Sequence, residues 1–226
     1  MKVLVIAAHP DDEVLGCGAT IAKHVKQGDI VDVLILGDGI TARYEESELN
    51  NPEVIEKVKA INGHAFNASK VLGVNQLEIK GFHCTRFDKF PLRDFVGIVE
   101  KKIKEFKPDR VYTHGPNDVN IDHGIVYKAV QTATRPMTPS FVKEVFLMEI
   151  LSGTEWNFLE SFRPDHYIDV VDTIQLKVDA LREYSSEKRE FPHPRSDEGI
   201  IILAKKKGSE VGLKYAEAFK TFRVIK

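Results

Sequence analysis

The chain is poor in several residues and patterns on which whole classes of function depend. It has 2 cysteines in 226 residues, Cys17 and Cys84, with no C-x-x-C spacing. That excludes a disulfide framework and predicts two reduced thiols in a cytoplasmic protein. No apolar run approaches the roughly 18–20 residues that cross a bilayer, so no membrane span is expected. Basic residues are in no excess: 32 Lys+Arg stand against 34 Asp+Glu, a formal charge of −2, which argues against a nucleic-acid partner. The first residues enter an apolar segment directly, without the charged, apolar and small-residue succession of a secretory signal. No Gly-x-Gly-x-x-Gly follows that segment. Gly16 and Gly18 come too late, inside a helical stretch, which disfavours dinucleotide binding. There is 1 tryptophan, Trp156, and a single Trp beside a strand more often packs than stacks on a ligand.

What the chain does have is a core and a pattern. Hydrophobic residues make up 42% and charged residues 29%, enough apolar material for a packed interior. Residues 3–8 form a continuous apolar run, as expected of a strand buried on both faces. A helical stretch follows over 12–27, then strand 30–36, helix 51–72 either broken near Gly63 or continuous through it, strand 76–80, helix 92–106, strand 110–113 and helix 125–134. This alternation predicts an α/β fold: three-layer, Rossmann-like, with a mostly parallel sheet and helices on both faces. Beyond residue 142 the pattern loosens into a strand at 145–151, a helix at 172–189 and a helical region at 196–219. The chain is therefore read as a single domain over 1–226, with a core at 1–140 and a C-terminal elaboration at 141–226 on the same sheet.

In open sheets of this kind ligands bind at the carboxyl ends of the strands. The loop after the first strand reads Ala8-His9-Pro10-Asp11-Asp12-Glu13. Crowding an imidazole and three carboxylates there is costly without a cation, because the carboxylates repel one another. The mixture of nitrogen and oxygen donors suits Zn²⁺, with Fe²⁺, Co²⁺ or Mn²⁺ as substitutes. The plainer alternative is that Asp11 or Asp12 caps the following helix while His9 bonds locally.

A catalytic zinc site typically has three protein ligands and an open position. The loop after strand 110–113 belongs to the same edge and reads His114-Gly115-Pro116-Asn117-Asp118-Val119-Asn120-Ile121-Asp122-His123. His123, with Asp122 beside it, is placed to face His9 and Asp12 across the crevice. His114 is the competitor, since it ends the strand directly.

The first motif, together with the later Asn-x-Asp-His, resembles the PIG-L/LmbE-like zinc-dependent N-deacetylases, which remove acetyl groups from N-acetylglucosamine-type amides. The segments 85–88, 152–156, 191–196 and 208–219 are similar to those of bacterial members. The resemblance implies His9, Asp12 and His123 as zinc ligands and Asp11 as general base. It also exposes a departure. Many members carry a histidine where this chain has Asn120, which can donate a hydrogen bond to an oxyanion but cannot deliver a proton. The acid role then passes to protonated Asp11 first and His193 second, with His114 also available. Asp122 and His114 are expected behind the ligands, orienting them. Arg43, Arg86 and Arg195 lie in loops expected at the rim, where they would either bind sugar hydroxyls or an anionic group or serve as surface or loop-tying ion pairs, and Asp88 would accept from a hydroxyl. The expected function is hydrolysis of the acetyl amide on an N-acetylated sugar or sugar conjugate. Two other readings compete with it: a metal-assisted hydrolase of another amide or a phosphoester, and a catalytically silent sugar- or nucleotide-binding module. The irregular last third is a candidate for homo-oligomer contacts.

Overall fold

The computed structural model describes residues 1–136 and 142–226. The division drawn after residue 140 falls in residues 137–141 and lies outside the described residues. Strands β1 (Lys2–Ala7), β2 (Ile30–Gly37), β3 (Gln76–Phe82), β4 (Arg110–His114) and β5 (Glu144–Met148) run parallel in the order β3-β2-β1-β4-β5. Central β1 is apolar throughout its inner positions because both of its faces are covered, and Val3 through Ala7 are fully buried. Val3, Val5 and Ala7 meet Leu15 of α1 (Asp12–Lys26) and Ile61 and Ala65 of α2 (Pro52–Leu72) on one face. Leu4 and Ile6 meet Phe95 and Val99 of α3 (Leu92–Phe106) and Val126 of α4 (Ile121–Ala133) on the other. The three-layer, Rossmann-like α/β architecture is the one expected.

Helix α2 runs unbroken through Gly63. Its start is set by Asn51, whose side chain accepts the Glu53 N–H, and by Pro52 in the first turn. It stops at Gly73, whose φ of 77° ends the helix in the left-handed conformation.

The C-terminal part departs from expectation. The helix read over 172–189 is the shorter α5 (Ile174–Glu183). The region read as helical over 196–219 divides into α6 (Asp197–Glu210) and a strand, β7 (Ala216–Val224). β7 pairs antiparallel with β5, and the unforeseen β6 (His166–Asp169) pairs antiparallel with β7. β7 begins Ala-Glu-Ala-Phe with all four residues buried, which is neither the alternation of a half-exposed strand nor a β-branched run.

The surroundings of Glu217 show how a carboxylate is tolerated there. Helix α1 breaks at Cys17 (φ −151°), and the freed Ala19 and Thr20 N–H groups donate to the Glu217 carboxylate at 3.2 and 2.7 Å. Lys177 of α5 completes the arrangement, donating to Glu217 at 2.6 Å and to the freed Leu15 carbonyl at 2.7 Å. Side chains thus take over where the helical ladder is interrupted, a common cause of a kink.

Candidate metal centre

The loops after β1 and β4 meet at the carboxyl edge of the sheet. Gly37, at the end of β2, allows the approach: a Cβ there would lie 2.8 Å from the Ala8 carbonyl oxygen and 3.1 Å from both the His9 ring and Cys84 Sγ. Donor atoms of His9, Asp12 and His123 gather within 4.8 Å of one another. Asp12 Oδ2 is the common point, 3.4 Å from His9 Nδ1 and 3.2 Å from His123 Nε2. It also accepts the His9 backbone N–H at 2.9 Å.

Each imidazole is backed by a carboxylate on its far side. His9 Nε2 donates to Asp122 Oδ2 at 2.8 Å. Asp122 is itself fixed by the Thr85 and Phe87 N–H groups. His123 Nδ1 lies 3.0 Å from Asp118 Oδ2. Asp118 also accepts the Asn120 N–H at 2.8 Å and the Thr154 hydroxyl at 2.9 Å. Neither Asp118 nor Thr154 is singled out by the sequence. Asp118 stands in the second loop, but nothing local distinguishes it from its polar neighbours.

The donor set fits a divalent ion. Both ring nitrogens of His123 are buried, and neither is satisfied by a well-directed hydrogen bond, although carboxylate oxygens stand close by. Burial works against ionisation of Asp12, yet the charge and hydrogen bond of His123 hold its carboxyl well below the ordinary range. Against the same burial, Asp12 and Asp118 raise His123 to about 9. The pocket therefore stabilises positive charge where a cation would sit. His9 through Nδ1, Asp12 through Oδ2 and His123 through Nε2 are the atoms available to hold it.

His114 turns its Nε2 to the backbone and stands outside the donor cluster of His9, Asp12 and His123. Its Nε2 lone pair accepts the Ala8 N–H at 2.8 Å, and its ring stacks on His123 with centroids 4.1 Å apart. Burial, with the His123 charge beside it, lowers its pKa to about 3, so the ring is a neutral wall of the site.

The capping alternative fails for Asp11. It occupies the N-cap position of α1, but its side chain makes no cap hydrogen bond, and its backbone is left-handed at φ 105°. That conformation is uncommon for a non-glycine residue and clusters at functional sites. Its carboxylate pairs instead with Arg195 at 2.7 Å. Burial raises its pKa to about 7 despite the pull of Arg195. The Asp11 N–H donates to Glu13 at 3.1 Å, and the other Glu13 oxygen accepts the Tyr184 hydroxyl at 2.5 Å.

The remaining expected site residues fare unequally. Arg195 does reach the site, bound to Asp11 rather than free at the rim. His193 sits in the same turn, its Nδ1 accepting the Arg195 N–H at 3.1 Å and its ring edge-on to Trp156 at 6.0 Å. Asn120 caps α4, accepting the Asp122 N–H at 3.0 Å through Oδ1, which leaves its amide NH₂ as the group able to donate. Arg43 and Arg86 take the loop-tying alternative. Arg43 grips both oxygens of Glu187 at 2.6 and 2.7 Å. Arg86 donates to the Thr41, Cys84 and Tyr44 carbonyls and ties two loops together. Asp88 is exposed on the turn after Arg86. A cavity of about 550 Å³, lined by Gly115, Asn117, Leu147, Thr154, Phe162 and Arg163, shares no residue with the donor cluster; its link to it is Thr154, whose hydroxyl touches Asp118.

The fold and this cluster together define an α/β protein with a group of side chains able to hold a metal ion at the carboxyl edge of its sheet. Residues 4–134 match the family model PIG-L: GlcNAc-PI de-N-acetylase, and the chain belongs to that family. It is 32% identical over 166 residues to the uncharacterized deacetylase YaiS of Escherichia coli (strain K12), covering 64% of this chain and 80% of that protein. Its fold is similar to the N,N'-diacetylchitobiose deacetylase of Pyrococcus horikoshii in complex with its inhibitor MPG (TM-score 0.78, 20% identity, 98% of this chain and 83% of the other). It is equally similar to the 4-carboxy-2-hydroxymuconate hydratase GalB of Pseudomonas putida KT2440 (TM-score 0.79, 22% identity, 100% and 98%). At these identities the structural likenesses speak to the fold alone.

Proposed function

We propose that the protein is a metal-dependent hydrolase that removes the acetyl group from an N-acetylated amino sugar or its conjugate, releasing acetate and the free amine. The observation that carries this reading is the His9–Asp12–His123 donor set with an unligated, buried carboxylate, Asp11, immediately beside it. Family membership supports the choice of an N-acetylglucosamine-type amide. The fold does not make that choice by itself, since a hydratase shares it. Zinc is the metal best suited to two imidazoles and one carboxylate, with Fe²⁺, Co²⁺ or Mn²⁺ as substitutes.

When bound, such an ion polarises the acetyl carbonyl and lowers the pKa of water from ~15.7 to near 7. Asp11 accepts the proton of the attacking water and carries it to the departing nitrogen. A carboxyl raised to about 7 by burial suits both halves of that transfer. The Asn120 amide donates to the developing oxyanion. His193, on the rim beside Trp156, is the second candidate for the proton donor. The cavity beside Gly115 and Asn117, at a size typical of small-molecule sites, is the space we assign to the rest of the sugar conjugate. No helix among the described residues is long and apolar enough to cross a membrane. Two buried free thiols agree with a reducing, cytoplasmic location.

The test is metal analysis joined to an acetate-release assay on N-acetylglucosamine, N,N'-diacetylchitobiose and N-acetylated sugar conjugates. Stoichiometric zinc and turnover of at least one of these amides are expected. Asp11→Asn should keep the metal and lose about 10²–10⁴ in kcat. Acetate release undiminished in Asp11→Asn removes the base assignment. A metal-loaded wild type that turns over none of the amides removes the deacetylase reading.

A further inference from the structure

The backbone of Asp11 is well fixed. Its carbonyl accepts the Val14 and Leu15 N–H groups at 3.1 and 2.9 Å, and its N–H is held by Glu13. The direction of its carboxylate is a separate matter. Among the described residues, the hydrogen bond that carboxylate receives is from Arg195 Nη1, at 2.7 Å. Asp11 is 4% exposed and its partner 23%, so the pair is shielded from solvent on the Asp11 side.

Arg195 is in turn built into place. Its Nε donates to the Ser152 hydroxyl at 2.5 Å and to the Leu151 carbonyl at 3.3 Å, and its own N–H is accepted by His193. The next residue, Ser196, caps α6 by accepting the Gly199 N–H at 2.9 Å. The turn carrying Arg195 lies so close to α6 that a Cβ on Gly199 would stand 2.3 Å from the Pro194 carbonyl oxygen. A guanidinium fixed through Nε and by its backbone, with Nη1 on Asp11, is oriented before any substrate arrives. It is a planar fork whose directions a lysine does not reproduce.

We infer that Arg195 is the positioning residue for Asp11, aiming the carboxylate at the reacting water from a turn anchored on Ser152 and α6; this rests on the deacetylase reading above. Its guanidinium touches Asp11, and through Asp11 it acts on the rate of the chemical step. The competing role for an arginine here, anchoring an anionic part of the substrate, would show in KM instead.

The experiment compares wild type, Arg195→Ala, Arg195→Lys and Ser152→Ala, all zinc-loaded, for steady-state kinetics, zinc content and melting temperature. Misplacement of a reacting group by about 1 Å costs on the order of 100-fold in rate. Arg195→Ala should therefore lose about that factor in kcat, with KM within about threefold, zinc content retained, and rate partly restored by added guanidinium ion below denaturing concentrations. Arg195→Lys should recover little, and Ser152→Ala should lose a smaller factor, again in kcat. If Arg195→Ala fails to fold or to bind zinc, the lysine and Ser152→Ala variants decide the matter: a loss confined to kcat supports positioning, and an unchanged kcat overturns it. A rise in KM with kcat preserved, or a loss that guanidinium does not relieve, also overturns it. Absence of turnover in the wild type would strike the deacetylase reading, whereas turnover that survives Arg195→Ala strikes this one alone.

Discussion

The two halves of the site are built in different ways. The candidate metal donors and the carboxylates behind them come from two short loops, residues 8–13 and 114–123, that leave adjacent parallel strands at one edge of the sheet. The groups that hold Asp11, Glu13 and Asp118 come partly from the last third of the chain: Arg195, Tyr184 and Thr154 respectively, each reaching a partner far away in sequence. The first region brings reagents together because a parallel sheet delivers its strand ends to one place. The second gives those reagents direction, through hydrogen bonds that exist only once the antiparallel β7 and helices α5 and α6 have closed the fold. If this division is real, substitutions in the first region should act on the metal, and those in the second on orientation and stability.

The largest expected effect tests the first half. Asp118 stands 3.0 Å from His123 Nδ1, on the side of the ring away from Asp12. Carboxylates in that position fix ring orientation, and their loss typically costs about 10–100-fold in metal affinity or activity. Asp118→Ala should weaken zinc binding by such a factor in competition with a chromophoric chelator. Affinity equal to wild type would mean that His123 is oriented by its stacking on His114 alone, and the first region would not then be self-sufficient.

This contrast also accounts for what is legible in the sequence. Buried β1 is a continuous apolar run, and α2 carries Asn51, Pro52 and Gly73 at its ends, so both are readable from local chemistry. The two loops are conspicuous because a chain seldom crowds carboxylates and imidazoles at a strand end unless a cation offsets their repulsion, while the choice of His9, Asp12 and His123 with Asp11 beside them comes from the family resemblance. β7 is not. Its Ala-Glu-Ala-Phe start favours a helix by propensity, and Glu217 is acceptable in a strand only because Lys177 and the broken turn of α1 receive it. Arg43, Arg86 and Arg195 are indistinguishable as rim arginines, since what separates them is a partner on a distant segment: Glu187 for the first, loop carbonyls for the second and Asp11 for the third.

Tyr184 probes the second region at intermediate size. Its hydroxyl meets buried Glu13, whose other oxygen holds the Asp11 N–H in the left-handed turn. Tyr184→Phe leaves the ring in place and withdraws one partner from a buried carboxyl, which costs about 1–2 kcal/mol. Urea unfolding of the zinc-loaded protein should register that loss, while zinc stoichiometry stays at the wild-type value. Departure of zinc at neutral pH in this variant would erase the distinction between the two regions, because an orienting contact would then be governing the ligands.

The smallest effect belongs to the ion pair that ties the regions together at the surface. Arg43, in the loop after β2, holds Glu187, in the loop after α5, and the arginine side chain is 44% exposed. Solvent screens the arginine end, and Glu187, whose side chain is only 7% exposed, keeps Arg189 at 3.7 Å as a second cation, so the pair contributes on the order of 1 kcal/mol. Arg43→Ala should therefore shift the urea midpoint slightly and leave kcat/KM within about threefold, an energy below about 1 kcal/mol. The substrate-binding role that the sequence suggests for Arg43 carries a different signature: a KM raised about tenfold or more, equivalent to about 1.4 kcal/mol, with kcat unchanged. Measuring KM for the best amide substrate in Arg43→Ala separates the two, because a guanidinium whose Nη2 is taken up by both Glu187 oxygens serves the tie, whereas a substrate-binding arginine would be missed in KM.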